Sequence, residues 1–397
     1  MNKISEQEQE TEQEQEKPKI KILPYSLLVG QEKLKLALEL AYIAPRIGGV
    51  LLSGQRGTGK STAVRAFSLM MEQKLPVTLP INATEDRILG GWKIDKLMKS
   101  EAEWQDGLLE EAKDKLLYID EVNLLDDHIV NIILDVTSTG VLVVQRDGQP
   151  IQKAVSFTLV STMNPEEGGL RPQLLDRFGL MVDVTAQTGT KERIEILQTV
   201  MNWDKALFYQ KDKQSQKDKQ SQKDKQSQKD KQSQNDEQSQ NDEQSQNDEQ
   251  SQNDEQSQND EQSQNDPSEY IKNAEQKDNQ YKEILEQAKN KFRSIEISND
   301  MIEYCVQLTE AFKAEGNLAD YIIALTSCAY AALEKAKQDA NTNKNIDKQV
   351  TAQHIQAVTQ LVLQHRRPEF LQSSQLPWTQ DDDNKVKEIL KLNTDAK

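Results

Sequence analysis

The sequence predicts an α/β fold, in which a three-layer core with a mostly parallel sheet is followed by an all-helical domain. Over residues 21–205, short apolar runs typical of buried strands alternate with helical patterns. Over residues 268–370 the apolar residues recur with helical spacing, and no strand pattern interrupts them. A Gly-rich motif between the first strand and the next helix indicates a nucleotide-binding core.

Five strands are predicted in this core. Each is a short apolar run, as expected where helices cover both faces of a parallel sheet. The runs are Val50–Leu52, Pro76–Leu79, Leu116–Ile119, Phe157–Ser161 and Met181–Val184. Residues 141–151 also predict a hairpin, with Val141–Val144 as one arm and Gln145–Gly148 as its turn.

Low-complexity segments set the remaining boundaries. Residues 1–20 are predicted to be a disordered acidic tail. Residues 206–267 are predicted to be a disordered linker, because residues 211–264 consist of four copies of KDKQSQ and five of NDEQSQ. This array has no apolar residue with which to build a core, although a tether for a partner is an alternative to a passive linker. Residues 371–397 are predicted to be a loose polar tail.

Composition excludes several classes of function. The net charge of −17 argues against a nucleic-acid-binding surface. Two cysteines, Cys305 and Cys328, form no CxxC motif, which fits buried thiols in a reducing compartment. No apolar run approaches the length of a membrane span, and no signal peptide is recognisable. The expected location is the cytoplasm, or the plastid stroma for a plastid-derived chain.

The most specific motif occupies residues 54–61 and has the pattern G-x-x-x-x-G-K-S. A strand before it and a helix after it provide the context that a phosphate-binding P-loop requires. Backbone N–H groups of such a loop converge on phosphate oxygens, and the helix N-terminus adds positive potential. Lys60 is expected to reach the β- and γ-phosphates of ATP, and Ser61 to bind Mg²⁺. The predicted nucleotide-binding residues are Gly54, Gln55, Arg56, Gly57, Thr58, Gly59, Lys60, Ser61 and Thr62.

Two carboxylates follow the predicted strand Leu116–Ile119, as in a Walker B motif. Asp120 is expected to hold Mg²⁺ through water, and Glu121 to orient and deprotonate the attacking water. The pair alone is a weak signal. Its position about sixty residues after a P-loop makes it specific, because a strand end beside that loop places charge near the γ-phosphate.

Two further residues are candidates for the catalytic machinery. Asn164 ends the strand at Phe157–Ser161 and could contact the γ-phosphate or position the attacking water, the sensor-1 role; the alternative is a turn residue before Pro165. Arg177 ends a short helical run and could reach the γ-phosphate of a neighbouring subunit as an arginine finger. Surface ion pairs are the alternative for Arg177, and also for Arg171.

These residues lie within longer runs that resemble the I subunit of magnesium chelatase, an AAA+ ATPase of chlorophyll synthesis. The resemblance covers residues 24–200 closely and 280–367 loosely. Its most specific part is the run NPEEGGLRPQLLDRFG at residues 164–179, and shorter matches occur at residues 29–32, 48–50, 83–87 and 118–128.

The resemblance implies an AAA+ core with a hairpin before the sensor-1 strand, followed by a helical lid. It implies ATP and Mg²⁺ as cofactors, bound between neighbours in a ring of six subunits. It also implies D-subunit and porphyrin-binding H-subunit partners, and Mg²⁺ insertion into protoporphyrin IX. By position, Arg177 matches the arginine finger, and residues 28–31 match the segment beside the adenine pocket.

Three departures from the family pattern leave other functions open. The stretch between the P-loop helix and Leu79 is short, and Gly169 replaces an acidic residue. Leu318 stands where the lid's sensor-2 arginine is expected, and Leu cannot clamp a phosphate, although Lys313 could substitute. The alternatives are a MoxR-like remodelling ATPase with a von Willebrand-type partner, or a weakly hydrolysing, ATP-dependent scaffold.

Overall fold

The computed structural model describes residues 22–99, 103–146, 149–210, 267–341, 349–373 and 377–392. The predicted acidic tail at residues 1–20 and the hexapeptide array at residues 211–264 lie outside these described residues. None of the described helices is both long enough and apolar enough to span a membrane.

A five-stranded parallel sheet forms the centre of the core. The described strands are β1 (Val50–Ser53), β2 (Val77–Leu79), β3 (Gly91–Trp92), β4 (Trp104–Gln105), β5 (Leu116–Ile119), β6 (Val141–Arg146), β7 (Gln149–Ala154), β8 (Thr158–Met163) and β9 (Leu180–Asp183). The order in the central sheet is β2-β5-β8-β1-β9, with every neighbouring pair parallel. All five strands predicted from sequence are present, displaced by no more than a few residues at their ends.

Helices cover both faces of the sheet. The described helices are α1 (Glu32–Ile43), α2 (Lys60–Glu72), α3 (Glu85–Leu89), α4 (Ile94–Leu97), α5 (Leu108–Glu111), α6 (Asp127–Thr139), α7 (Pro172–Leu175), α8 (residues 190–210), α9 (Pro267–Phe292), α10 (Asn299–Ala311), α11 (Leu318–Asn341), α12 (Ala352–Leu363), α13 (Pro368–Ser373) and α14 (Gln380–Ile389). Alternate residues of each strand enter opposite cores. Val50 and Leu52 pack with α1, α2 and the C-terminal helices, whereas Leu51 packs with α5 and α6. The predicted three-layer α/β core with a helical region behind it is therefore confirmed.

The predicted hairpin is also present, since β6 and β7 pair antiparallel from Val141↔Ala154 to Arg146↔Gln149. Its inward residues Leu142 and Val144 are buried in the core around α6, while Val143 is 54% exposed. The hairpin is thus anchored by one face and presents the other to solvent.

Two boundaries differ from the sequence-based expectation. Residues 206–210, assigned to the linker, continue α8, in which Ala206 is buried against Ile271 of α9. The polar segment after Phe370, expected to be loose, contains α14. That helix is stabilised by a Thr379–Asp382 capping box and by Trp378, whose ring stacks on Phe312 at a centroid distance of 5.1 Å. This contact could not be predicted from the local sequence, because the segment is strongly charged and the apolar partner of Trp378 lies far away in sequence.

Candidate active site

The P-loop joins β1 to α2 in the middle of the sheet. Gly59 has a φ of +85° and precedes Lys60, the first residue of α2, so the loop needs a residue that accepts the left-handed conformation there. At Gly54 a Cβ would lie 2.1 Å from the carbonyl oxygen of Val184. The loop therefore depends on glycine both for its turn and for its close approach to the chain after β9.

Lys60 lies across this loop. Its ammonium donates hydrogen bonds to the carbonyl oxygens of Gly54 (2.6 Å) and Gln55 (2.8 Å). Burial is the largest influence on its pKa, which is lowered, while Asp120 and Glu121 act in the opposite direction. The ammonium is thus held beside the loop by carbonyl groups. An anionic phosphate could take their place as its hydrogen-bond acceptor.

Asp120 is tied to the P-loop through a hydrogen-bonded network. The Tyr118 hydroxyl oxygen lies 2.8 Å from Asp120 Oδ1 and 2.9 Å from Ser61 Oγ. Thr162 donates to the same Asp120 oxygen at 2.6 Å and accepts from the backbone N–H of Glu121 at 3.1 Å. Burial raises the pKa of Tyr118 to about 12, which keeps its hydroxyl protonated. Two neighbouring strands, β5 and β8, are thereby linked to α2 at the edge of the sheet where their polar ends meet.

Glu121 adopts a left-handed backbone conformation, with φ of +56°. A non-glycine residue in this region costs of order 1 kcal/mol or more, and such strain tends to cluster at functional sites. Its carboxylate is half-buried and lies 3.6 Å from the guanidinium of Arg56, which also pairs with Glu167. The strained turn therefore directs Glu121 toward the P-loop side of the sheet edge.

Asn164 is buried, and its Oδ1 accepts a hydrogen bond of 3.3 Å from the backbone N–H of Glu166. It caps the 3-10 turn at Pro165–Glu167, which is the turn role considered for it from sequence. It also lines the cleft beside the P-loop. Both roles are compatible, because the capping bond uses the side-chain oxygen.

One cleft brings these groups together. It has a volume of about 280 Å³ and is lined by Arg56, Gly57, Thr58, Gly59, Lys60, Ser61, Thr62, Asp120, Glu121, Thr162, Met163 and Asn164. At Gly57 and Gly59, no atom lies within 4 Å of the position a Cβ would take, so the loop borders open space. Hydroxyl and carboxylate oxygens from Ser61 and Asp120 are the donors that Mg²⁺ prefers. These residues fit a nucleotide phosphate chain with a bound Mg²⁺.

Arg177 lies outside this cleft. It is exposed and borders a separate shallow cavity of about 350 Å³ together with Asp127, His128 and Arg171. Arg171 itself forms an ion pair of 2.5 Å with Asp127, which is the surface role considered for it from sequence. The structure therefore groups Asn164 with Glu121 but places Arg177 on another surface.

The helical region also stays away from the phosphate cleft, since no residue described in α9–α14 lines it. Leu318 begins α11 and is 39% exposed. On the side of the adenine-flanking segment, by contrast, Gln360 of α12 accepts a hydrogen bond from Lys33, and a cavity of about 430 Å³ is lined by Gly30, Gln31 and Gln364 among others. The lid thus borders the expected adenine side rather than the phosphates.

Sequence reasoning missed Tyr118 and Thr162. Both belong to strands whose apolar character indicated core, and both are 1% exposed. Each lies two residues before a predicted site residue, and this spacing is the signal from which they could have been predicted. A polar side chain that is buried at a strand end needs a partner, and that partner is usually in the site.

The fold and this cleft are those of a P-loop nucleotide-binding protein, and residues 49–178 match the AAA domain (dynein-related subfamily). The chain is 42% identical over 229 residues to the magnesium-chelatase subunit ChlI homolog of Methanocaldococcus jannaschii, covering 48% of this chain and 63% of that one. It is 44% identical over 210 residues to the magnesium-chelatase 38 kDa subunit of Cereibacter sphaeroides, covering 45% and 63%. The resemblance to magnesium chelatase I subunits is thereby confirmed.

The chain spans less than two thirds of the length of these curated relatives. A crystal structure from Cytophaga hutchinsonii, provisionally described as an ATPase, aligns with a TM-score of 0.51 at 14% identity, covering 94% of this chain and 92% of that one. This likeness concerns the fold alone.

Proposed function

We propose that the chain binds ATP with Mg²⁺ and hydrolyses it at an interface between neighbouring copies. The observation that carries this proposal is the division of the site. The P-loop, Asp120, Glu121 and Asn164 share one cleft, while Arg177 is exposed on a different surface. Such a site is completed when a neighbouring subunit supplies the arginine, as in arginine-finger NTPases.

Each residue has a role in this reaction. Lys60 would exchange its carbonyl partners for the β- and γ-phosphates, and Ser61 and Asp120 would hold Mg²⁺, which neutralises charge on the phosphates. Glu121 is placed to take a proton from the attacking water. Asn164 would orient that water or contact the γ-phosphate, and Arg177 of the neighbour would stabilise the transition state.

The work done with ATP is, we infer, that of a magnesium chelatase motor. A ring of these chains would act with D-type and porphyrin-binding H-type subunits to insert Mg²⁺ into protoporphyrin IX, in the cytoplasm or the plastid stroma. Support comes from the two chelatase relatives, whose names state this class of protein. In this step the inserted Mg²⁺ is a substrate and is distinct from the ion held at Asp120.

Leu318 favours a second function. An apolar side chain at the sensor-2 position cannot contact a phosphate, and no described lid residue lines the phosphate cleft. Coupling between lid and nucleotide would then be weaker than in a chelatase motor. A remodelling ATPase with a von Willebrand-type partner, or a slowly hydrolysing scaffold, would tolerate that loss.

Reconstitution with cognate D and H subunits tests the proposal. We expect ATP-dependent formation of Mg-protoporphyrin, followed by its absorbance, and loss of that product with Lys60→Ala. Normal ATP hydrolysis without chelation would contradict the chelatase function and favour remodelling. Nucleotide-induced assembly without hydrolysis would favour the scaffold.

A further inference from the structure

The turn that follows α12 docks on the loop that carries Arg177. Residues 364–366 contact residues 176–181 through three consecutive side chains. Gln364 donates to the carbonyl oxygen of Met181, and His365 donates to that of Phe178 at 2.9 Å. The lid and the predicted finger are thus joined although they lie about 190 residues apart in sequence.

Arg366 makes the densest part of this contact. Its side chain is 1% exposed, and all five of its N–H donors are used. Nη2 donates to the carbonyl oxygens of Asp176 (2.8 Å) and Phe178 (2.7 Å), the two residues on either side of Arg177. Nε pairs with Asp176 Oδ1 at 3.1 Å, and Nη1 donates to the carbonyl oxygens of Gly179 (3.1 Å) and Val362 (2.5 Å).

The loop is fixed from its other side as well. Phe178 is fully buried in the core around α6. At Gly179 a Cβ would lie 1.8 Å from the carbonyl oxygen of Ile47, so the turn before β1 packs directly on the loop. The backbone on both sides of Arg177 is therefore held by packing and hydrogen bonds, while the Arg177 side chain is exposed.

We propose that Arg366 is a positioning residue, which holds the backbone at Arg177 so that its guanidinium serves the nucleotide of the neighbouring copy. Four of the five hydrogen bonds from this planar group reach residues 176–179 and fix the position of that loop, and a single point charge cannot make the same set. Burial lowers the pKa of Arg366 to about 10, which leaves it charged at neutral pH. This inference rests on the proposed interfacial hydrolysis.

Arg366 also changes what the lid can do. Leu318 lacks the group that would sense the chain's own phosphates, but the turn after α12 holds the backbone on either side of the chain's own predicted finger. The lid would then act on the next site in the ring rather than on the cleft of its own chain. Through Arg366, the helical region would affect hydrolysis by positioning Arg177, without a sensor-2 arginine.

Steady-state hydrolysis by the full-length chain with Arg366→Gln tests the first step. We expect kcat to fall roughly 10- to 100-fold, because small displacements of a catalytic group have effects of this size. ATP affinity should stay at the wild-type value, since Arg366 is not in the cleft. Arg367→Ala is the matched control. It removes the next arginine, equally part of the lid turn, whose contacts include Asp382, the carbonyl oxygens of Pro377 and Gln364 and the ring of Trp378, none of them in residues 176–181, and we expect its kcat to be unchanged.

Mixing experiments identify the site that is impaired. Arg366→Gln chains have an intact cleft, and Glu121→Gln chains have an intact finger, so we expect the mixture to exceed the activity of either alone. Mixing Arg366→Gln with Arg177→Ala should give no gain, because both chains lack a working finger. If Arg366→Gln instead complements Arg177→Ala, the positioning role is wrong.

A reference mixture separates this inference from the function on which it rests. Arg177→Ala with Glu121→Gln should regain activity if hydrolysis is interfacial, and no gain there would overturn the proposed function itself. If Arg366→Gln does not fold, Arg366→Lys takes its place, because lysine keeps the positive charge but lacks the planar guanidinium that makes several hydrogen bonds at once. Wild-type kcat in folded Arg366→Lys would overturn the inference.

Discussion

Thr162 and Asp120 are joined by a hydrogen bond of 2.6 Å, in which the Thr162 hydroxyl donates to Asp120 Oδ1. Thr162 is 1% exposed and sits two residues before Asn164, at the end of β8. The same hydroxyl accepts from the N–H of Glu121. One side chain therefore orients the predicted Mg²⁺ ligand and the backbone of the predicted base at once.

Thr162→Val should weaken Mg²⁺ binding. Loss of a supporting hydrogen bond to a metal ligand typically costs 10- to 100-fold in affinity, so the Mg²⁺ concentration for half-maximal hydrolysis should rise roughly 10-fold or more. Titration of ATPase activity with Mg²⁺ measures this. Thr158→Val, the same change at the start of β8, should leave the midpoint in place; equal shifts in both would point to a general effect on the strand.

Glu121→Gln should bind ATP and fail to turn it over. The amide keeps the shape of the side chain but cannot accept the proton of water, and loss of a general base costs roughly 10²- to 10⁴-fold in rate. A fluorescent ATP analogue gives binding, and phosphate release gives turnover. Near-normal hydrolysis by this variant would show that another group takes the proton.

Arg177→Ala, combined with Glu121→Gln in one chain, should inhibit wild-type chains when the two are mixed. An arginine finger contributes roughly 10³ to 10⁵ in rate, and each double-variant chain would deprive one neighbour of it while supplying no working cleft of its own. Activity should therefore fall faster than the wild-type fraction as variant is added at constant total protein. A decline in simple proportion to the wild-type fraction would mean that the sites work independently.

The fold class and the cleft could be predicted because their signals are local. A strand and the functional residues at its end lie within a few positions of each other in two places. The P-loop follows Val50–Leu52, and Asp120 follows Leu116–Ile119. Tyr118 could not be assigned to the site from sequence, because a tyrosine in an apolar strand is expected to be a core residue. Only the folded structure places its hydroxyl beside Ser61. The role of Arg366 could not be predicted either, because its partner Asp176 is 190 positions away in sequence.

Trp378→Ala should destabilise the helical region, contrary to what a loose polar tail would show. The ring of Trp378 stacks on Phe312, and its Nε1–H donates to Asp383 at 2.7 Å. Loss of a half-buried indole should cost about 2 kcal/mol, below the range for fully buried aromatics. Urea denaturation followed by circular dichroism measures this. Trp378→Phe keeps the stacking and should recover most of the loss.

The stability of the chain should fall on mild acidification, in part through His365. Burial, reinforced by Arg366, holds the pKa of His365 well below its usual value. Above about pH 6.5 the imidazole is neutral in both the folded and the unfolded chain. As the pH falls through that value, the unfolded chain takes up a proton that the folded chain does not, so the free energy of unfolding falls with it.

The maximum slope from this one group is about 1.4 kcal/mol per pH unit. His365→Gln removes it, so the free energy of unfolding should depend less steeply on pH between about 6.5 and 5, a window set by the ordinary histidine pKa. Urea denaturation at closely spaced pH values gives both curves. His354→Gln serves as the control, because His354 lies on α12 in contact with Glu334 and away from Arg177. Equal slopes for wild type and His365→Gln would show that His365 takes up its proton in the folded chain as readily as in the unfolded chain, and its hydrogen bond to the Phe178 carbonyl would then be charge-assisted.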